Sequence, residues 1–451
     1  MTNGADPIET EIPSPRSSNR AGLITLGHWL ALGALIGALS GAASALFLYL
    51  LQSATNYRTG HELIVYSLPL AGWLIGLIYQ RFGRSIAAGS NLVIDTIHDA
   101  GPRLPLRMAP MVLVGTVLTH LFGGSAGREG TAVQMGASLA DAVVHRFALA
   151  GPMRRHLLAA GVAGGFGSVF GTPIAGAVFG LEFIVLGRIE YDALVPALVA
   201  SVVGDMTTRA LGIEHTHYPA PAALALSPLV LLKWCAFAVA LAATTWVFIE
   251  LTHFLKKQGE KRLALPVRML IGGALVVALW RLWGTSDYLG LGVPMIVRSF
   301  TDAALPPYAF ALKLLLTAIT LGAGFLGGEV TPLFFVGAAL GNVLARVLGL
   351  PLALGAGVGL AGVFAAASNT PLALSIMAVE LMGGNLFPHV VIVCVLSYLM
   401  SGERSIYSAQ RLVRDKRGLG FSQATALRDL RAPPTQPASP PRASRAVRER
   451  S

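Results

Sequence analysis

The chain predicts an all-α integral membrane protein of many tilted and broken helices, built from two related halves. Three observations carry that expectation. Hydrophobic residues make up 54% of its 451 residues and charged ones only 13%, whereas a soluble domain carries about 25% charge. Glycine occurs 51 times, which suits close helix packing and helices interrupted inside the bilayer. A segment of the first half also returns, altered, in the second. The apolar runs are long rather than alternating, so they read as helices and not as barrel strands.

Residues 1–22 are polar and read as a disordered tail, and the apolar run behind them is too long for the core of a signal peptide. Residues 21–51 form a long first span with the small-residue run GALIGALSGAASA, and 63–79 a second. Residues 81–110 are more polar, and Gly89-Ser90-Asn91 opens a short helical segment running to His98. An apolar run at 111–122 leads into GGSAGREGTAVQM (123–135), and a helix continues over 131–149. Residues 156–186 are glycine-rich and broken at Thr172-Pro173. Proline supplies no N–H and clashes with the preceding turn, so two short helices with a non-helical break are expected there. Residues 191–211 are apolar again, 215–224 read as an exterior loop, and 229–254 as a long span before a basic loop at 256–262. Spans at 267–282 and 308–324 lead to a second glycine stretch, GAGFLGGEVTP (322–332). Segments 333–348, 352–367, 371–381 and 388–400 complete the membrane part. Beyond Gln410 the chain turns polar and Pro/Arg-rich and is expected to stay disordered. The expected division is a tail at 1–22, a first half at 23–212, a second half at 213–410 and a basic tail at 411–451.

The relation between the halves is specific. AGVAGGFGSVFGTPIAGAVFGLEF (160–183) resembles VGLAGVFAAASNTPLALSIMAVEL (358–381). Thr172-Pro173 falls on Thr370-Pro371, Phe166 on Phe364 and Glu182 on Glu380, matches that chance likeness between Gly/Ala-rich helices accounts for badly. The glycine stretches pair as well, GREGT (127–131) against GEVTP (328–332). Transporters made of two such halves bind substrate near the midplane, at broken helices.

The net charge of +11 is unevenly spread, with Arg411, Arg414, Lys416 and Arg417 following the last span and Arg16 and Arg20 preceding the first. Basic flanks mark the cytoplasmic side. Both termini are therefore expected in the cytoplasm, with an even number of crossings of the cell's inner membrane. Anionic lipid explains these arginines better than a nucleic-acid partner. Cys235 and Cys394 lie in apolar runs without metal or redox spacing and are expected to be buried and structural. No metal, cofactor or enzymatic activity is expected.

Chemistry concentrates at Glu129. Glycines let backbone N–H groups approach a ligand closely, and a helix start just behind them offers free donors and partial positive charge to an anion. A carboxylate at membrane depth is costly and points to function. Burial favours its neutral form, while Arg128 and the helix ends favour its charged form, so it can switch with pH. Charged, it imitates an anion and blocks the path; protonated, it can swing aside. His120, Lys313 and Asn91 suit vestibule lining or helix bonding. Glu182 and Glu380, repeat partners at the ends of short helices, suit a structural or vestibule role more than a proton role. GGSAG also shares the GxSG pattern of intramembrane serine proteases, a weak signal without a histidine partner in a later span.

On these residues the chain resembles the CLC family of anion channels and proton-coupled anion antiporters. GSAGREG (124–130) is similar to that family's signature, and the second glycine stretch with Pro332 to its paired motif. The resemblance spans about residues 21–410. It implies a CLC-like inverted-repeat bundle, a homodimer in the lipid bilayer with one pore per subunit, and Glu129 as gating and proton-carrying residue. Ser90 and Asn91 resemble the first anion-binding loop, and Tyr407 in SIYSAQR (405–411) the tyrosine closing the inner side of the site. Gly127, Arg128, Gly130, Val330 and Thr331 would complete the anion-binding set. Thr131, Phe183 and Glu329 stand where chloride-type members carry proline, an inner glutamate and another paired motif. GREGTAVQMG with GGEVTP resembles the fluoride/proton antiporter branch, which gives Glu329 a coupling role and Thr331 a fluoride-handling one. Ser90, Val93 and Thr96 depart from that branch's pattern, so chloride stays open beside fluoride. A passive chloride channel of the same family is the alternative reading.

Overall fold

The computed structural model describes residues 15–99, 103–149, 151–416 and 420–430. Among them, eight α-helices build the first half: α1 (Pro15–Gly60), α2 (Leu68–Phe82), α3 (Ser90–Asp99), α4 (Met108–Leu121), α5 (Glu129–Arg146), α6 (Pro152–Phe170), α7 (Pro173–Glu182) and α8 (Leu194–Ala210). Eight build the second: α9 (Pro228–Arg262), α10 (Leu265–Trp283), α11 (Val293–Arg298), α12 (Ala309–Ala323), α13 (Val330–Leu348), α14 (Leu352–Ser368), α15 (Pro371–Met382) and α16 (Phe387–Met400). A short strand, β1 (Val185–Leu186), follows α7, and β2 (Arg411–Arg414), β3 (Gly420–Ala426) and α17 (Leu427–Leu430) follow α16.

Helix length explains the breaks. α1, α9, α10, α13 and the segment Glu62–Phe82 ending in α2 are long and apolar enough to cross a bilayer. α3 and α7 have only ten residues each, roughly 15 Å at 1.5 Å per residue, half of a hydrocarbon core about 30 Å thick. Such helices can stop inside the protein, where their first N–H groups lack intrahelical partners. Pro173 and Pro371 open α7 and α15, at the position where a missing N–H costs nothing. The preceding helices close on left-handed residues, Gly171 (φ 74°) after α6 and Asn369 (φ 59°) after α14. Asparagine is one of the few residues with a side chain that tolerates this conformation.

The two halves pack alike. α1 lies on α8 as α9 lies on α16, and α5 on α6 as α13 on α14. The second pair of contacts needs glycine: a Cβ added at Gly161 would sit 2.5 Å from the Gly136 carbonyl oxygen, and one at Gly337 would collide with that of Gly359. The halves meet through equivalent elements, α2 on α10 and α7 on α15. At the α7–α15 contact the two repeat glutamates exchange caps. Glu380 accepts from the Ile174 and Ala175 N–H groups at 3.0 and 2.8 Å, and Glu182 from those of Leu372 and Ala373 at 3.2 and 2.9 Å. Each carboxylate thus fills the orphan donors at the other helix's positive end.

Three sequence expectations are corrected. α1 begins at Pro15, so 15–22 continue the first span as helix instead of a tail; residues 1–14 lie outside the described residues. The chain beyond Gln410 is not structureless: β1, β2 and β3 form a three-stranded sheet, parallel between β1 and β2 and antiparallel between β2 and β3. Leu186, Leu412 and Leu427 bury together against Tyr398. The tail's own composition lacked the apolar surface to fold, and the membrane body supplies it through Leu186 and Tyr398. Residues 417–419 and 431–451 of the expected tail lie outside the described residues. Cys394 is buried, but Cys235 is exposed on α9.

Candidate functional site

The glycine stretches of the two halves are hydrogen-bonded to each other. The Gly127 N–H donates to the Gly328 carbonyl at 2.6 Å and the Gly328 N–H to that of Gly127 at 2.8 Å. A Cβ at Gly127 would lie 2.9 Å from both the Gly328 oxygen and Pro332 Cδ, and one at Gly328 would lie 2.7 Å from the Gly130 nitrogen. Glycine is therefore the residue that lets these backbones meet. The bridge brings the start of α5 to the start of α13, two positive helix ends from opposite halves.

Glu129 lies at this junction and is fully buried. Its Oε2 accepts from the Thr331 and Arg128 backbone N–H groups, both at 3.1 Å. Its Oε1 accepts from the Thr331 hydroxyl and, at 3.3 Å, from Arg128 Nε. The first turn of α13 thus receives its anion from another part of the chain. Val330 opens that helix, and Gly130 follows Glu129 with its Cα side closed by Gly328. Two amides, a hydroxyl and a guanidinium converge on one carboxylate, a donor set equally fit for a small free anion.

Beside the bridge lies a cavity of about 670 Å³. Ser90, Asn91, Glu329 and Tyr407 all line it, as do Thr131 and Gln134 of α5. Of the residues expected to form the site, these four share the cavity wall, while Gly127, Arg128, Glu129, Gly130, Val330 and Thr331 gather at the bridge. Asn91 has a second engagement: its Oδ1 accepts from the Ala409 N–H at 2.9 Å, pinning the tyrosine loop to α3. Tyr407 packs edge-on against Phe183, with centroids 4.7 Å apart. The position that resembled an inner glutamate site therefore braces the tyrosine ring.

Several participants escaped the sequence reading. Gln134 Nε2 donates to Ser90 Oγ at 3.3 Å. With that lone pair engaged, the single Ser90 O–H proton remains for another acceptor. Thr131 shares a hydrogen bond with Thr116 at 2.7 Å. Gln410 is fully buried and donates to the Phe183 and Ser368 carbonyls at 2.9 and 2.8 Å, tying the tyrosine loop to both halves. Tyr218, from the loop read as exterior, packs with a tilted ring against Phe300, centroids 5.8 Å apart. Burial pushes its phenol up to about 12, and the charges of Arg128 and Glu129 act on it too. Thr131, Gln134 and Gln410 lie inside stretches already singled out in the sequence, but their bonding partners leave no mark there, and Tyr218 had no signal at all.

The remaining polar residues are accounted for by bonding. Both His120 ring nitrogens face carbonyls, Thr116 at 2.8 Å and Ala126 at 2.9 Å. Lys313 donates to the Tyr288 and Gly290 carbonyls at 3.1 and 2.6 Å. Ser125 pairs with the Thr317 hydroxyl at 3.0 Å.

Known proteins resemble this chain in sequence and fold. A family model described as voltage gated chloride channel matches residues 71–402. A chloride/fluoride channel protein of Pseudomonas syringae pv. tomato is 45% identical over 413 residues, covering 90% of this chain and 91% of the relative. The crystal structure of a CLC-type fluoride/proton antiporter superimposes with a TM-score of 0.82 at 37% identity, covering 86% of this chain and 98% of that one. A slow cyanobacterial Cl−/H+ antiporter shares the fold, with a TM-score of 0.75 at 18% identity, covering 83% of this chain and 94% of that one.

Proposed function

We propose that this chain, which belongs to the voltage-gated chloride channel (CLC) family, exchanges protons for a small anion across the membrane, exporting fluoride and admitting chloride as a second substrate. One observation carries this reading: the Glu129 carboxylate occupies the donors at the start of α13 that an anion would need. Protonation removes its charge and its strongest acceptor capacity, and the amides and the Thr331 hydroxyl are released to the anion. Deprotonation reverses the exchange. Fluoride is small and strongly hydrated, so only a dense set of N–H and O–H donors replaces its water. Ser90, with its hydroxyl proton held available by Gln134, and Tyr407 serve as the next station along the cavity. Glu329, on the same wall, supplies the second proton-carrying group. The cycle needs no covalent chemistry and no cofactor.

Lys256, Lys257, Lys261 and Arg262 end α9 on the side of this cavity. By the positive-inside rule this basic end supports a cytoplasmic face, and Arg16, Arg20 and the basic residues after the last span support both termini on that side of the cell's inner membrane. α7 and α15, locked together by exchanged caps, leave Ile174 and Leu372 exposed. That apolar face suits a second copy of the chain, and a homodimer should appear as twice the protomer mass in detergent.

The test is fluoride efflux from proteoliposomes with a pH electrode present. Wild-type protein is expected to couple outward fluoride to inward protons, and Glu129→Gln to move fluoride without protons. Uphill proton movement by Glu129→Gln against an anion gradient would overturn the mechanism. Fluoride flux without any proton flux in the wild type would identify a passive channel.

A further inference from the structure

We propose a further anion-binding station, centred on Arg268, on the α9–α10 wall of the cavity; it rests on the transport reading above and extends it. Arg268 lies in the first turn of α10, and its side chain is 11% exposed. Nε and Nη1 are both buried and, among the described residues, have no hydrogen-bond acceptor. Among the described residues, the carboxylate paired with the guanidinium is Glu260, whose Oε1 stands 3.3 Å from Nη1 without hydrogen-bond alignment and whose side chain is 52% exposed. A buried guanidinium left this way gives up free energy that an acceptor would restore. It lines the cavity together with Lys256, Lys257 and Glu329, so the acceptor at hand is whatever anion the cavity carries.

The neighbouring helices hold the side chain in place. The Arg268 side chain runs across Gly259 of α9 and reaches Gly324, where a Cβ would stand 2.6 Å from Arg268 Cδ and 3.1 Å from Nη2 respectively. Gly324 (φ 101°) closes α12 and lies in the glycine stretch that leads through Glu329 into α13. The guanidinium therefore touches the same backbone segment that builds the Glu129 site. Lys256 and Lys257 line the same cavity as Arg268, so these three cationic groups share that lining with Glu260 and Glu329. The ligand class is a small monovalent anion. Glu260 is its internal competitor: an arriving anion displaces that loosely seated carboxylate from Arg268 and is then handed toward Ser90 and Tyr407.

The experiment measures initial fluoride efflux against internal fluoride, with proton flux recorded in the same vesicles, in low and high potassium gluconate. Arg268→Gln should raise KM by about tenfold or more with kcat held, the loss of one charge-assisted hydrogen bond, and Arg268→Lys should recover part of it. Glu260→Gln should shift KM the opposite way, because it removes the competitor and leaves the guanidinium. Bromide soaked into crystals of the wild-type chain should give an anomalous peak within hydrogen-bond distance of Arg268. An unchanged KM in Arg268→Gln, or a raised KM in Glu260→Gln, overturns the station. A KM shift that disappears in high gluconate also overturns it, leaving only a diffuse field. Should Arg268→Gln fail to fold, the half-exposed Glu260 variant still decides. Absence of fluoride-coupled proton flux in the wild type would instead sink the transport reading.

Discussion

At the scale of single residues, the site is a competition among hydrogen-bond acceptors for fixed donors. The Thr331 hydroxyl and N–H both serve Glu129, and Thr331→Val removes one of them without changing shape much. Hydrogen bonds to charged groups contribute about 1.5–3 kcal/mol, so fluoride efflux should fall by at least about tenfold while proton coupling persists. Efflux recorded with pH checks both. Gln134 makes a sharper case. In Gln134→Glu the side chain turns from donor to acceptor, so the Ser90 hydroxyl proton is drawn to it and away from the anion. Anion affinity should fall as far as in Ser90→Ala, and the double variant should be no worse than either. Additive losses would show that the two residues act independently.

At the scale of helices, the exchanged caps of α7 and α15 do what local sequence could not. Thr172 and Thr370 precede the helices in the usual capping place, yet neither makes a side-chain cap. The donors are filled instead by Glu380 and Glu182 from the opposite helix. An N-terminal cap is worth about 1 kcal/mol, so Glu182→Ala and Glu380→Ala should each lower stability by roughly that amount. The Gln variants should lose less, since an amide oxygen still accepts. Thermal unfolding in detergent reads the difference. The repeat predicted that these glutamates correspond; it could not show that they serve each other, because the partner lies some two hundred residues away and only the inverted arrangement brings it there.

At the scale of the molecule, the Gly127–Gly328 bridge joins the halves at the site itself. A methyl group at Gly328 would press on the Gly130 nitrogen at 2.7 Å, so Gly328→Ala must push α5 from α13 and pull the Thr331 donors off Glu129. Anion flux and proton coupling should be lost together, by more than tenfold, in a chain that still inserts and folds; retained coupling in the efflux assay would argue against the bridge. The same scale explains the C-terminal segment. Arg428 pairs with Asp95 of α3 through two contacts at 2.9 Å, so the hairpin is braced on the helix that carries Ser90. An exposed ion pair of this kind contributes at most about 1 kcal/mol, and the sheet rather than the pair holds the segment.

Much of this was legible in the chain alone. Apolar runs, glycine density and the paired Thr-Pro breaks determined a two-part helical membrane protein, because bilayer thickness and proline geometry act through local sequence. The GREGT and GEVTP stretches singled out Glu129, Glu329 and Thr331, because a buried carboxylate among glycines has few structural uses. Tertiary structure alone decided which donors meet that carboxylate, that Gln134 serves Ser90, that the repeat glutamates cap each other's helices and that the tail folds. These depend on contacts between distant segments, whose energies come from the shape of the assembled body and leave no mark in either segment by itself.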